Sequence, residues 1–311
     1  MSTGWVAAGV RARAMSQRRV GAAGARDLAG RASVASAVTA LAETPYGHDV
    51  HLGQDLAQAQ HAVAATVLWN MRVLAGWVPT GSARVLRSLA GGFEVANVDE
   101  RIRELGGSTV DPPFRLGSMG VAWTRAARAG SLPEIRQVLA SSAWGDPGAG
   151  TAAAIRLSMR LSWSAQVSVG VPVAREWAAG AAALVLVREV LVGQADPTTP
   201  AVRAATRLLG SRWTGTRTLR AFADALPPDA RWALEGVEDP GDLWHAEARW
   251  WSRVGSDGAV LLRRPVTTPA PVLGAVALLG VDAWRVRAAL EVAARGGSGA
   301  GGALGVFDAV A

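Results

Sequence analysis

The chain reads as an all-α protein. Three observations predict this class. Apolar residues recur at intervals of three and four along several segments, no period-two run of β-branched residues occurs, and the breaks are Gly and Pro clusters of the kind that stop helices. Val95, Val98, Ile102 and Leu105 form one such stripe, with Arg101, Arg103 and Glu104 off it and Gly106-Gly107 as its stop. Just before the stripe, Phe93-Glu94-Val95-Ala96-Asn97 predicts a helix start. There Glu94 would favour the macrodipole, Phe93 would staple the entry and Asn97 would make a hydrogen bond between repeats. Ser131-Leu132-Pro133-Glu134 predicts a second start, Ser131 being an N-cap residue and Glu134 standing at the capping-box position, ahead of Ile135, Val138 and Leu139. Val173 to Val192 is apolar on nearly all sides, as the central helix of a bundle would be. Breaks are expected over residues 106–113, 145–150 and 196–200, at Pro227-Pro228, and over 265–271. The Gly-rich stretch from Gly296 to Gly302 reads as a flexible end, since no lysine follows and no strand precedes it.

Composition excludes several classes. The chain has 311 residues, half of them hydrophobic, so it can bury a large core and is not disordered. It has no cysteine, which removes disulfides, iron–sulfur clusters and thiolate zinc sites. It has no lysine either, so all 32 basic side chains are arginine. That excludes a Schiff base and the lysine of a phosphate-binding loop. The same composition is what GC-rich coding yields, so function has to be read from pattern. The net charge is +7 and the isoelectric point about 11.3, which suits nucleic acid, anionic lipid or an acidic protein. The arginines are scattered rather than massed, which argues against nucleic acid.

Ser16-Gln17-Arg18-Arg19 has the look of a twin-arginine signal, but Arg26, Asp27 and Arg31 interrupt the run that follows. The most apolar run, Ala178 to Val187, is about half the ~20 residues that cross a bilayer, and Pro271 to Val281 is also too short. Both read as buried helices.

A weak repeat runs through the chain. Leu41-Ala42-Glu43-Thr44-Pro45-Tyr46-Gly47 matches Leu139-Ala140-Ser141-Ser142-Ala143-Trp144-Gly145. Each closes an amphipathic helix with an aromatic followed by a glycine at the C′ position, where a left-handed backbone is common. The spacing predicts three similar helical units, over residues 1–110, 111–210 and 211–297, the third ending in Trp284 to Arg295, with a tail over 298–311.

Candidate chemistry is sparse. His48, His51 and His61 lie near Asp49 and Asp55, and the His48-x-x-His51 spacing would suit a metal only if a carboxylate joined it. A polar surface loop is the plainer reading. Glu235, Glu238, Asp239 and Asp242 surround the turn at Pro240-Gly241 and read as hydrated. His245, among Trp244, Glu247, Trp250 and Trp251, reads as a packed helix residue. No Gly-x-Ser-x-Gly elbow and no nucleophile–base pair occurs. No catalytic, cofactor-binding or metal-ligating residue is expected.

Four stretches in order resemble one family, the C/AC39/d subunits of V-type and archaeal-type rotary ATPases. They are Trp5-Val6-Ala7-Ala8-Gly9-Val10-Arg11-Ala12-Arg13-Ala14-Met15, Leu41 to Gly47, Phe93 to Val98, and Pro271-Val272-Leu273-Gly274 followed by Val281 to Arg287 and Arg295-Gly296-Gly297. They depart from the family pattern at Leu278-Leu279, where Lys-Glu is usual, and at Arg285, where Asn is usual; in the middle repeat only Glu176 stands in for the acid. The resemblance implies three helical-bundle repeats forming a funnel- or V-shaped subunit. It implies a peripheral place on the cytoplasmic side of the cell membrane, coupling the central stalk to the proteolipid ring for proton or sodium transport, with no chemistry or cofactor of its own. A helical scaffold, or a nucleic-acid-binding protein with a basic surface, is the alternative reading.

Overall fold

A computed structural model describes residues 3–296. The tail expected over 298–311 lies outside the described residues. All regular structure among the described residues is helical, as the periodicity predicts. In chain order the α-helices are α1 (Thr3–Gln17), α2 (Gly21–Ala29), α3 (Val34–Ala42), α4 (Leu56–Ala75), α5 (Ala83–Leu105), α6 (Trp123–Ala126) and α7 (Leu132–Ala140). They continue with α8 (Ala152–Gly170), α9 (Arg175–Leu186), α10 (Thr199–Leu209), α11 (Leu219–Ala225), α12 (Pro228–Arg231), α13 (Leu243–Arg263) and α14 (Ala270–Ala294).

The chain forms two compact units. The first joins residues 1–86 to residues 251–311; the second is the continuous stretch 87–250. The boundaries expected at 110 and 210 both fall inside the second. Helices α5 and α13 carry the chain from one unit to the other.

In the first unit α14 is the central element. It packs on α1, α2, α3 and α4, and is buried along most of its length from Pro271 to Ala293. That placement explains a helix apolar on all sides yet too short on hydrophobic residues to cross a bilayer. No helix among the described residues is long and apolar enough to do so. Gly274 brings the backbones of α14 and α13 together: a Cβ there would lie 2.5 Å from the Gly258 carbonyl oxygen and 2.5 Å from the Leu262 nitrogen. Arg13 of α1 then caps the end of α13, donating from Nε to the Leu262 carbonyl at 3.2 Å and from Nη2 to that of Arg264 at 2.8 Å.

The second unit has two apolar cores. One gathers Val95, Val98 and Ile102 of α5 with Ile135 and Leu139 of α7 and Ile155 and Met159 of α8. The predicted stripe is thus its wall, with Leu105 only partly buried at the edge. The other gathers Leu157 and Leu161 of α8, the alanine face of α9, and Leu209, Phe222 and Leu226. The apolar run Val173–Val192 is broken into a short 3-10 turn, α9, and a π-helical turn over Val187–Val192. The π turn holds Glu189, which takes a 2.7 Å bond from Arg160 Nη1, while Arg160 Nη2 reaches Asp99 at 2.8 Å. Burial pushes the Asp99 carboxyl up, and Arg160 and Arg156 beside it pull the other way.

Candidate functional site

Each unit is organised by one buried acid that catches the start of a helix. In the second unit the acid is Glu94, 1% exposed. Its carboxylate accepts from the backbone N–H groups of Val121 at 2.8 Å, Ala122 at 2.5 Å and Trp123 at 2.6 Å. These are the donors that a helix start leaves without partners, here that of α6. The sequence expectation therefore needs correcting. Glu94 is in the middle of α5, which begins at Ala83, and the helix start it serves lies farther along the chain. One turn on, Asn97 donates from Nδ2 to the Phe114 carbonyl at 2.9 Å and accepts from the Phe114 N–H at 2.7 Å. A carboxamide offers a donor and an acceptor side by side, so it can pair with both backbone groups of one residue. Phe93 meets the Phe114 ring edge-on at 5.2 Å. The Phe93 and Asn97 side chains clamp the segment after α5 instead of stapling the helix entry.

In the first unit the acid is Asp282 of α14, 3% exposed. It accepts from the N–H groups of Gly21 at 2.7 Å and Val20 at 3.2 Å, at the start of α2, and from the Tyr46 hydroxyl at 3.0 Å. Burial first, then the charge and hydrogen bond of Asp282, hold the Tyr46 phenol protonated well above its ordinary range. Burial also lowers the Arg19 guanidinium, and Asp282 partly offsets this.

The two acids belong to one pattern used twice. In the first unit α14 presents the acid, α2 receives it, α3 follows, Leu41–Gly47 closes α3, and α4 comes next. In the second, α5, α6, α7, Leu139–Gly145 and α8 play these parts in the same order. Ser33 and Ser131 are the N-caps of α3 and α7, both extended, and each accepts from the N–H three residues on. Thr44 Oγ1 donates to the Leu41 carbonyl at 2.6 Å and accepts from the Tyr46 N–H at 3.2 Å. Ser142 Oγ does the same with the Leu139 carbonyl at 2.7 Å and the Trp144 N–H at 3.2 Å. From Ser33 to Gly47 and from Ser131 to Gly145 the registers coincide residue for residue.

Differences between the copies are informative. Gly145 has φ +79°, the left-handed backbone expected of both closing glycines. Gly47 does not; a Cβ there would run into the Ala42 carbonyl, so its glycine answers a close approach. Tyr46 gives its hydroxyl to the acid, whereas the buried Trp144 indole N–H has no partner. Glu134 bonds to the Ser131 hydroxyl at 3.0 Å and accepts from the Gly130 N–H at 2.9 Å, so the expected capping box reaches one residue farther back.

A cavity of about 40 Å³ lies beside the first acid, lined by Arg18, Arg19, Tyr46, Trp69, Asn70 and Asp282 among others. That is room for about one water molecule. Both acids have their two oxygens engaged by donors of their own unit. The histidines are used locally. His48 bonds through Nδ1 to Asp49 at 2.8 Å and stacks on Trp69 with ring centres 4.0 Å apart. Asp49 also accepts from Thr66 at 2.9 Å, and Asp55 is the N-cap of α4. Among the described residues no three His, Asp or Glu side chains come together as a metal would require. In the acidic turn, Asp239 caps the Gly241 N–H at 2.6 Å, Glu235 and Glu238 are exposed, and His245 stacks on Trp244 at 3.5 Å.

Asp282 was not singled out in the sequence, although a signal was present. It stands alone in the long apolar run of α14, and a carboxylate in such a place is buried only with partners. Compared with known proteins, the chain matches no family model and no curated protein.

Proposed function

We propose that this chain is a non-catalytic rotor subunit of a V/A-type rotary ATPase, coupling the central stalk to the membrane proteolipid ring. In this reading three related helical units form a funnel or V on the cytoplasmic face of the ring. The observation that carries it is the twice-used acid pattern. Three of the stretches on which the resemblance rests, Leu41–Gly47, Phe93–Val98 and Val281–Arg287, supply both of its acids and one of its two helix closures. A coupling part transmits torque without making or breaking bonds, so it needs helices locked at their ends and cores of native density. Buried acids that each tie two or three donors to a distant helix meet that need.

The test is affinity isolation of the full chain from its own cells in mild detergent. Recovery of the catalytic A and B subunits, a stalk subunit and the proteolipid in fixed proportion is the expected result. Recovery of none of these from a membrane fraction that contains an intact rotary ATPase would refute the proposal.

A further inference from the structure

Helices α1 and α4 pack together in the first unit, and α14 packs on both. Their outer face is basic. Neither helix contains a single Asp or Glu. The face exposes Arg11 from α1, Arg18 just after α1 and Arg72 from α4, and among the described residues none of these guanidinium groups meets a carboxylate. The same helices also leave apolar groups uncovered. Val10 is 58% exposed and Trp77, just after α4, is 45% exposed, with Val6 one turn before Val10. Two contacts tie the face together. Arg11 lies 4.9 Å over the Trp77 ring at one end, and Arg18 and Trp69 line the same small cavity at the other.

A partner for this face has to supply negative charge and an apolar bed in the same plane. Nucleic acid or an acidic peptide would satisfy the arginines and leave Val6 and Val10 in water. The surface of an anionic bilayer offers phosphate groups above an acyl boundary, the layer in which Trp and Arg side chains both settle. We propose that the α1–α4 face docks flat on an anionic lipid bilayer. The proposal stands on this face alone and needs no ring or stalk protein.

The full chain is sedimented with vesicles of phosphatidylglycerol and phosphatidylcholine in equal amounts, and with phosphatidylcholine vesicles, at physiological ionic strength. Binding to the anionic vesicles only, weakened by added salt, is the expected result. The pair Arg11→Glu and Arg18→Glu is expected to lower partition by about thirtyfold or more, since each basic side chain near such a surface contributes roughly fivefold. The pair Arg203→Glu and Arg207→Glu changes the charge equally at exposed positions on α10 and is expected to bind at least tenfold more tightly than the first pair. Val6→Ser with Val10→Ser leaves the charge intact and is expected to lower partition by about fivefold. Equal binding to neutral vesicles, equal loss in both arginine pairs, or binding to RNA or poly-glutamate but not to vesicles would each overturn the proposal. Because the vesicles hold no protein, failure here would leave the rotor reading standing.

Discussion

Tyr46 is the only tyrosine in the chain, and that makes the first unit's acid directly measurable. Its hydroxyl is buried and donates to Asp282 at 3.0 Å. Replacing it with phenylalanine removes one hydrogen bond to a charged group, a loss of about 1.5–3 kcal/mol, while the two backbone donors stay on the carboxylate. Urea unfolding of Tyr46→Phe, followed by tryptophan fluorescence, should show a lower midpoint with an unchanged slope and a deficit of about 2 kcal/mol. The pH dependence gives a second readout. The folded chain holds the phenol proton where the unfolded chain, with its ordinary pKa near 10, releases it. Stability that is fully present below about pH 10 is therefore lost as pH rises above it, at about 1.4 kcal/mol per pH unit. With no lysine and no cysteine, no other ordinary side-chain titration obscures this window. Tyrosinate absorbance near 295 nm should stay absent until the chain unfolds, and the alkaline slope should vanish in Tyr46→Phe. Ordinary tyrosinate titration near pH 10 in a chain whose tryptophan fluorescence remains native would refute the reasoning.

Glu94→Ala leaves the N–H groups of Val121, Ala122 and Trp123 without their acceptor, and should cost about 3 kcal/mol or more, read by denaturation and by faster hydrogen exchange at those amides. Gly47→Ala forces a methyl group against the Ala42 carbonyl and should lower stability by about 2 kcal/mol or more. Gly145→Ala, strained only in its backbone, should cost about 1–2 kcal/mol; thermal melts compare the two. Trp144→Phe removes an indole N–H that has no partner, a relief of about 1–3 kcal/mol that offsets the void left by the smaller ring. Its unfolding free energy should lie within about 1 kcal/mol of the parent, unlike Tyr46→Phe.

What the sequence could reveal followed the range of the interaction. Helical stripes such as Val95–Val98–Ile102 and the cap at Ser131 depend on neighbours within a turn or two, so period and residue type exposed them. The role of Glu94 was misread because its donors lie a loop away, and nothing local distinguishes an acid at its own helix start from one reaching another's. Asp282 went unnoticed for the same reason, since its three donors come from the opposite end of the chain. The repeat was visible as Leu41–Gly47 against Leu139–Gly145, but the helix that completes the first copy is α14, which no search for consecutive units would join to α2.

That arrangement bears on the order of synthesis. Residues 87–250 are consecutive, so everything the second unit needs has been synthesised before α14 is made. Helices α1 to α4 are born first and receive their central partner last, because α14 packs on all four. Until then the apolar sides of these helices, and the backbone donors of Val20 and Gly21, have only water, a chaperone or a membrane to meet. A message that stops short of α14 would yield one half ready to fold and another with no centre.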